Sequence, residues 1–179
     1  HSMRRIDSAM QSFSAAHRAL AWSVGDHHPL YGNLFAVIAD MFYEQNNLGD
    51  AIQALGKACE MIERALGSSH LMSAALNAKM GTLVHILGDT TQALQLYDRV
   101  LNIYEGAAKR GANVNLEAAS CEYIAAAIYA QGKDLRKALD YAERALKRRQ
   151  SKLNSGHDDL LLSYAQVSKI CEQFGDTRK

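Results

Sequence analysis

The chain is predicted to be an all-α solenoid of helix pairs, and three observations carry that expectation. Its 179 residues are 48% hydrophobic with a single proline, enough for a core and short of the breakers that loop-rich or all-β folds need. Gly25-x-x-His28 returns 42 positions on as Gly67-x-x-His70, and Ala9, Ala51 and Ala93 stand at that same step. Apolar or small residues recur at steps of four and three, Ala51, Leu55 and Ala58 lying over Ala9, Phe13 and Ala16, which holds each set on one helical face. A period of this length marks units that cannot bury their apolar faces alone and must stack on neighbours.

Taken in order, the first expected helix, 5–24, aligns with 48–66 and is a second helix without a first. The span 29–45 opens on Pro29, suited to a first helical position, and closes at Asn46-Asn47. Its apolar set Phe35, Ile38, Ala39 and Phe42 returns in 71–87 as Asn77, Met80, Gly81 and Val84, ending at Gly88-Asp89. The span 90–109 keeps Ala93, Tyr97 and Leu101, and 114–131 and 135–153 flank Gln131-Gly132-Lys133. A last helix, 158–174, precedes Gly175-Asp176-Thr177, the same turn as Gly88-Asp89-Thr90. Residues 1–3 read as a tag remnant, and 4–179 as one array cut from a larger protein: an orphan second helix, three complete hairpins and a final first helix. Leu160, Leu161, Tyr164, Val167, Ile170 and Cys171 give the last helix more apolar surface than one neighbour covers, a route to self-association.

Within each pair a small residue on the first helix stands twelve before an alanine on the second, Ala39 with Ala51 and Gly81 with Ala93, which lets the two backbones approach closely. In the third pair, Tyr123 to Leu146, the register is open by one residue. Ala125 at the small position buries Cys121, Ile124 and Ile128; Ala126 buries Tyr129 at the cost of turning Glu122 inward. The first register is the one adopted for the expected surface.

The small pair and the 42-residue period, shown most fully by "GDHHPLYGNLFAVIADMFYEQNNLGDAIQALGKACEMIERALGSSH" from Gly25 to His70, resemble the tetratricopeptide repeat (TPR), and Gly-x-x-His before the first helix is similar to the kinesin light chain subclass. The resemblance covers nearly the whole chain and weakens along it, Lys109-Arg110-Gly111 having lost the Gly-x-x-His signature. It implies a right-handed superhelical solenoid of antiparallel hairpins, whose first helices line a concave face that takes an extended or helical peptide.

Carried over by position, that face presents Asn33, Ala36, Asp40, Tyr43 and Glu44, then Ala75, Ala78, Thr82, His85 and Ile86, then Glu122, Ala126 and Tyr129, and last Leu162, Ala165, Lys169 and Glu172. Of these, Asn33, Asp40, Tyr43, Glu44, His85, Glu122, Tyr129 and Lys169 are the expected partner-binding residues. Tyr43, His85 and Tyr129 should form a row of amphipathic rings of the kind that anchors interfaces. The clamp that captures chaperone tails is not matched: Ala36, Asp40, Lys79 and Glu122 stand there, with one base among them. Asn33 and Asn77 are the candidates for holding peptide backbone, as asparagines do in kinesin light chains.

Other functions find little in the residues. Twenty basic residues against nineteen acidic ones give no field to steer the whole molecule toward nucleic acid or membrane. The basic run from Lys133 to Lys152 could meet RNA phosphates or an acidic protein, but Asp134, Asp140 and Glu143 interrupt it as on a solvated outer face. His27 and His28 lack the spacing of a metal set and read as caps, with His70 and His157 alike. Phosphate loops, nucleophile elbows and zinc-hydrolase motifs are missing. The three scattered cysteines, Cys59, Cys121 and Cys171, read as reduced core fillers in a cytoplasmic protein, and no apolar run approaches the roughly 20 residues of a membrane span. A non-catalytic scaffold or adaptor for protein or peptide partners, without cofactor or metal, is the expectation; the alternatives are a nucleic-acid-associated scaffold using 133–152 and a self-associating structural module.

Overall fold

The computed structural model describes residues 28–176 and the isolated Ala15. The expected helix 5–24, Ala15 apart, lies outside the described residues, as do His27 and Thr177. Among the described residues there are seven helices and no strand: α1 Pro29–Glu44, α2 Leu48–Leu66, α3 Leu71–Ile86, α4 Thr90–Lys109, α5 Asn115–Gln131, α6 Leu135–Gln150 and α7 Asp158–Asp176.

Local chemistry sets the helix starts. The imidazole Nδ1 of His28 accepts the Leu30 N–H at 3.3 Å, that of His70 the Met72 N–H at 3.1 Å and that of His157 the Asp159 N–H at 3.1 Å. Each supplies an acceptor to a donor that a helix start leaves orphaned. Asn47 and Asp134 do the same for α2 and α6, through the N–H groups of Asp50 and Lys137. The exits repeat as well. Asn46 and Lys133 sit at φ 59° and 61°, and Gly88 holds the corresponding turn at φ 93°, in the left-handed region where glycine is free and other residues are strained.

Two helix ends depart from expectation. α6 stops at Gln150, three residues short of 153, where the chain turns on Lys152 and Leu153 N–H bonds to the Arg149 carbonyl. α7 runs on through Gly175 to Asp176, so the expected turn does not begin at Gly175.

The described helices fall into two compact units, α1 to α3 up to Asp89 and α4 to α7 from Thr90 on. In the first, α2 packs against both α1 and α3. Its stripe Ala51, Ala54, Leu55, Ala58, Cys59 and Ile62 meets Ile38 and Ala39 of α1 and Leu76 and Leu83 of α3. Ala39 and Ala51 are both buried there, as the spacing of twelve requires. Gly32 marks a further close approach: a Cβ there would lie 2.5 Å from Ile62 Cγ1 and 3.1 Å from the Ala58 carbonyl oxygen.

In the second unit α5 packs against α4 and α6, and α6 against α7. Ala126, Ala138, Ala142 and Ile170 form a buried cluster, with Tyr129 and Tyr141 packed on it. The register of the third pair is therefore the one that places Ala126 twelve before Ala138. The register adopted from the sequence rests on burying Cys121, Ile124 and Ile128 together, and the length of α5 keeps both registers in play. α5 has 17 residues where α1 and α3 have 16, so counting from the helix start reaches Ala125 and counting back from the turn reaches Ala126. Ala125 is buried too, 1% exposed beside Ala126 at 0%, so α5 is covered on two adjoining faces.

Candidate functional site

Both units carry a cleft between first helices. In the first, α1 and α3 share α2 as backing and leave a cleft of about 220 Å³ floored by Ala39, Leu55 and Leu83 and rimmed by Asp40, Tyr43, Lys79 and Thr82. The helical repeat produces it: Asn33, Val37, Asp40 and Glu44 form one stripe on α1, and Ala75, Lys79, Thr82 and Ile86 form its counterpart 42 positions on. The Lys79 ammonium donates to both Asp40 oxygens, at 2.8 and 2.9 Å, tying α3 to α1 across the cleft. The two side chains stay 52% and 58% exposed, so the pair contributes at most about 1 kcal/mol. Its larger effect is to cancel two of the charges on this face.

The second cleft, about 350 Å³, lies between α5 and α7. Ala127, Ala130, Leu162, Ala165 and Ile170 make it apolar, and Tyr123, Gln131, Gln166, Lys169 and Gln173 supply its polar edge. Gln166 donates to the Tyr123 carbonyl at 2.8 Å, while its own Oε1 is enclosed without a hydrogen-bond partner.

Five of the expected partner-binding residues lie on exposed surface. Asp40 and Tyr43 line the first cleft, and Lys169 lines the second. Asn33 and Glu44 are exposed along the α1 stripe. His85 is half-buried beyond the cleft lining, its Nδ1 enclosed and without a hydrogen-bond partner.

Two expected residues are corrected. Glu122 has no exposed side-chain surface: Oε2 accepts from Arg148 Nε at 3.0 Å, and Oε1 lies 2.9 Å from Arg144 Nη2, close enough for an ion pair although out of hydrogen-bond alignment. Arg144 also donates to Glu105 at 3.1 Å, so α6 ties α4 and α5 together. Burial pushes the Glu122 carboxyl above its ordinary range, against the opposing pull of the Arg148 and Arg144 charges. Tyr129 is a half-buried core ring, 5.3 Å from Tyr141 between centroids, with the Lys137 ammonium over it. Both follow from the Ala126 register.

The same packing absorbs much of the basic run. Arg144 and Arg148 hold Glu122, and Arg149, 5% exposed, donates to the Asp159 carbonyl and to Ser163. Asn77 is likewise interior, 1% exposed, and donates to Cys59 Sγ and to Ser73. It cannot face a peptide. Cys59 and Cys121 are buried and Cys171 is exposed, which corrects its reading as a core filler. Among the described residues no cluster of His, Cys, Asp and Glu could hold a metal ion, and no helix is long and apolar enough to cross a membrane.

Sequence reasoning missed the Asp40–Lys79 tie and the Gln166 and Gln173 edge. The first joins residues 39 apart, which no local pattern reveals. The second had a signal, since Gln166, Lys169 and Gln173 recur at three and four on one helical face.

Residues 35–71 match the family model of the tetratricopeptide repeat. In fold the chain is similar to BtubC (BKLC) from P. vanneervenii, with a TM-score of 0.79 at 17% identity over 98% of this chain and 70% of that one. It is also similar to a P. anserina structure of nearly identical TPR-like repeats of the kinesin light chain type, at TM-score 0.75 and 15% identity over 99% and 81%. MamA is a more distant likeness, at TM-score 0.55 and 13% identity over 97% and 94%. No curated protein matches the chain in sequence. The protein thus has an all-α repeat fold, and its resemblance to kinesin-light-chain-like TPR repeats holds.

Proposed function

We propose that this chain is a non-catalytic, cytoplasmic protein-interaction module that holds segments of partner proteins in the clefts between its first helices. TPR repeats generally serve protein–protein interaction, and the observation that carries the reading here is the cleft between α1 and α3. Three residues of its polar rim, Asp40, Tyr43 and Thr82, stand at positions that the family resemblance assigns to ligand contact, over an apolar floor. A mostly apolar concavity with a few placed polar groups is the usual form of a binding site.

The test is a titration of a purified partner against variants. Tyr43→Ala should lose on the order of 2 kcal/mol, about 30-fold in affinity, as truncated interface anchors do. Arg136→Ala, on the exposed part of α6, should bind as the parent does. Equal affinity for the parent and Tyr43→Ala, with helical content intact, would overturn this reading.

A further inference from the structure

The chemistry of the first cleft's open end points to its ligand. We infer that the cleft between α1 and α3 binds a peptide segment carrying an aliphatic side chain with a lysine or arginine within about one helical turn of it. The inference rests on the cleft being the binding site, as proposed above.

The charge argument starts from what is already cancelled. Asp40 and Lys79 neutralise each other at the rim. Among the described residues nothing pairs with Glu44, which is exposed four residues after Asp40 on the same stripe. Glu44 is also the last residue of α1, and that helix has no basic residue in its last turn. The partial negative charge of a helix C-terminus therefore stands uncompensated beside a free carboxylate. Tyr43 adds its ring, 51% exposed, and an aromatic face attracts a cation within about 6 Å of its centre. The Glu44 carboxylate, the α1 C-terminus and the Tyr43 ring stand together at the end of α1, directly after the lining residues Asp40 and Tyr43, and each favours a cation.

The rest of the ligand follows from the floor. Ala39, Leu55 and Leu83 offer no hydrogen-bonding side chain, so what enters must be apolar. The cleft volume of about 220 Å³ has room for an aliphatic side chain. Ile86, 52% exposed on the α3 stripe, extends the apolar contact toward the same end. An acidic segment would bring like charge to Glu44 and to the helix terminus, which is costly at an interface.

Selection of a random 12-residue peptide display library on the immobilised chain tests this, run in parallel on Thr82→Trp, which fills the cleft, and Glu44→Lys, which reverses its free charge. Peptides enriched on the parent should carry lysine or arginine within four residues of leucine, isoleucine or methionine. They should disappear on Thr82→Trp, and Glu44→Lys should shift the preference at least about 10-fold toward acidic segments. Enrichment that Thr82→Trp abolishes but that shows no basic preference, or an acidic one, overturns the ligand assignment and leaves the cleft standing. Enrichment unchanged by Thr82→Trp, or none at all, overturns both. If Thr82→Trp fails to keep its helical spectrum, Tyr43→Ser replaces it, with the same outcomes read the same way.

Discussion

Glu122 shows how far a single residue can stand from its sequence reading. Its guanidinium partners lie 22 and 26 positions on, at Arg144 and Arg148, and nothing local announces them. Leaving a buried charge short of a partner is far costlier than losing an exposed pair. Arg148→Met should therefore destabilise the chain by about 2 to 3 kcal/mol in denaturant unfolding, Arg144 still holding one oxygen. The pH dependence has a definite sign. The folded carboxyl has a pKa above its ordinary value of 4.5, so the folded state keeps the proton over a window in which the unfolded state has lost it. Stability from this group is full below that window and falls as pH rises through it. Glu122→Gln, titrating nowhere in this range, should gain on the parent as pH is raised from about 4 to 8; a gap independent of pH would contradict this account.

The thiols give a second residue-scale test. Burial, with Glu122 and Glu117 nearby, pushes Cys121 up to about 12, and burial raises Cys59. Since the thiolate is the reactive form, iodoacetamide at pH 8 should label Cys171 first, with Cys59 and Cys121 following only on unfolding. Mass spectrometry reads the order directly, and early labelling of Cys121 would place α5 differently.

Elements were the most legible level, because caps, turns and amphipathic stripes are local. The histidine caps, the left-handed turns and the alanine stripe of α2 all follow from short-range chemistry. The extra residue in α5 defeats a count from its start but not the spacing of twelve between Ala126 and Ala138, so that register was readable from the second helix. Gly32 was not readable. A lone glycine in a helix carries no pattern, and its role appears only when Ile62 and Ala58 are packed beside it. Gly32→Ala gains about 1 kcal/mol of helix propensity but must displace Ile62, which is fully buried. Overpacking of this kind typically costs about 1 to 3 kcal/mol, so the melting temperature should fall. A rise would mean that α1 and α2 have room to separate.

At the scale of the whole molecule, what the repeat determines is a surface as much as a fold. Stripes 42 positions apart put Asp40 and Thr82 on one rim, and the corresponding first helices of the second unit make the other cleft around Lys169. Exposure of the expected positions was legible as far as helical phase alone decides it, at Asn33, Asp40, Tyr43, Glu44 and Lys169. It was lost at Glu122 and Tyr129, where packing in the second unit overrode the expected register.

Hydrogen exchange with and without a bound partner tests the central claim most directly. Amides along α1 and α3, around Asp40, Tyr43 and Thr82, or along α5 and α7, around Tyr123 and Lys169, should gain protection at saturation, while the exposed positions of α6 at Arg136, Glu143 and Lys147 exchange as before. Protection confined to α6, with both clefts unchanged, would contradict the account.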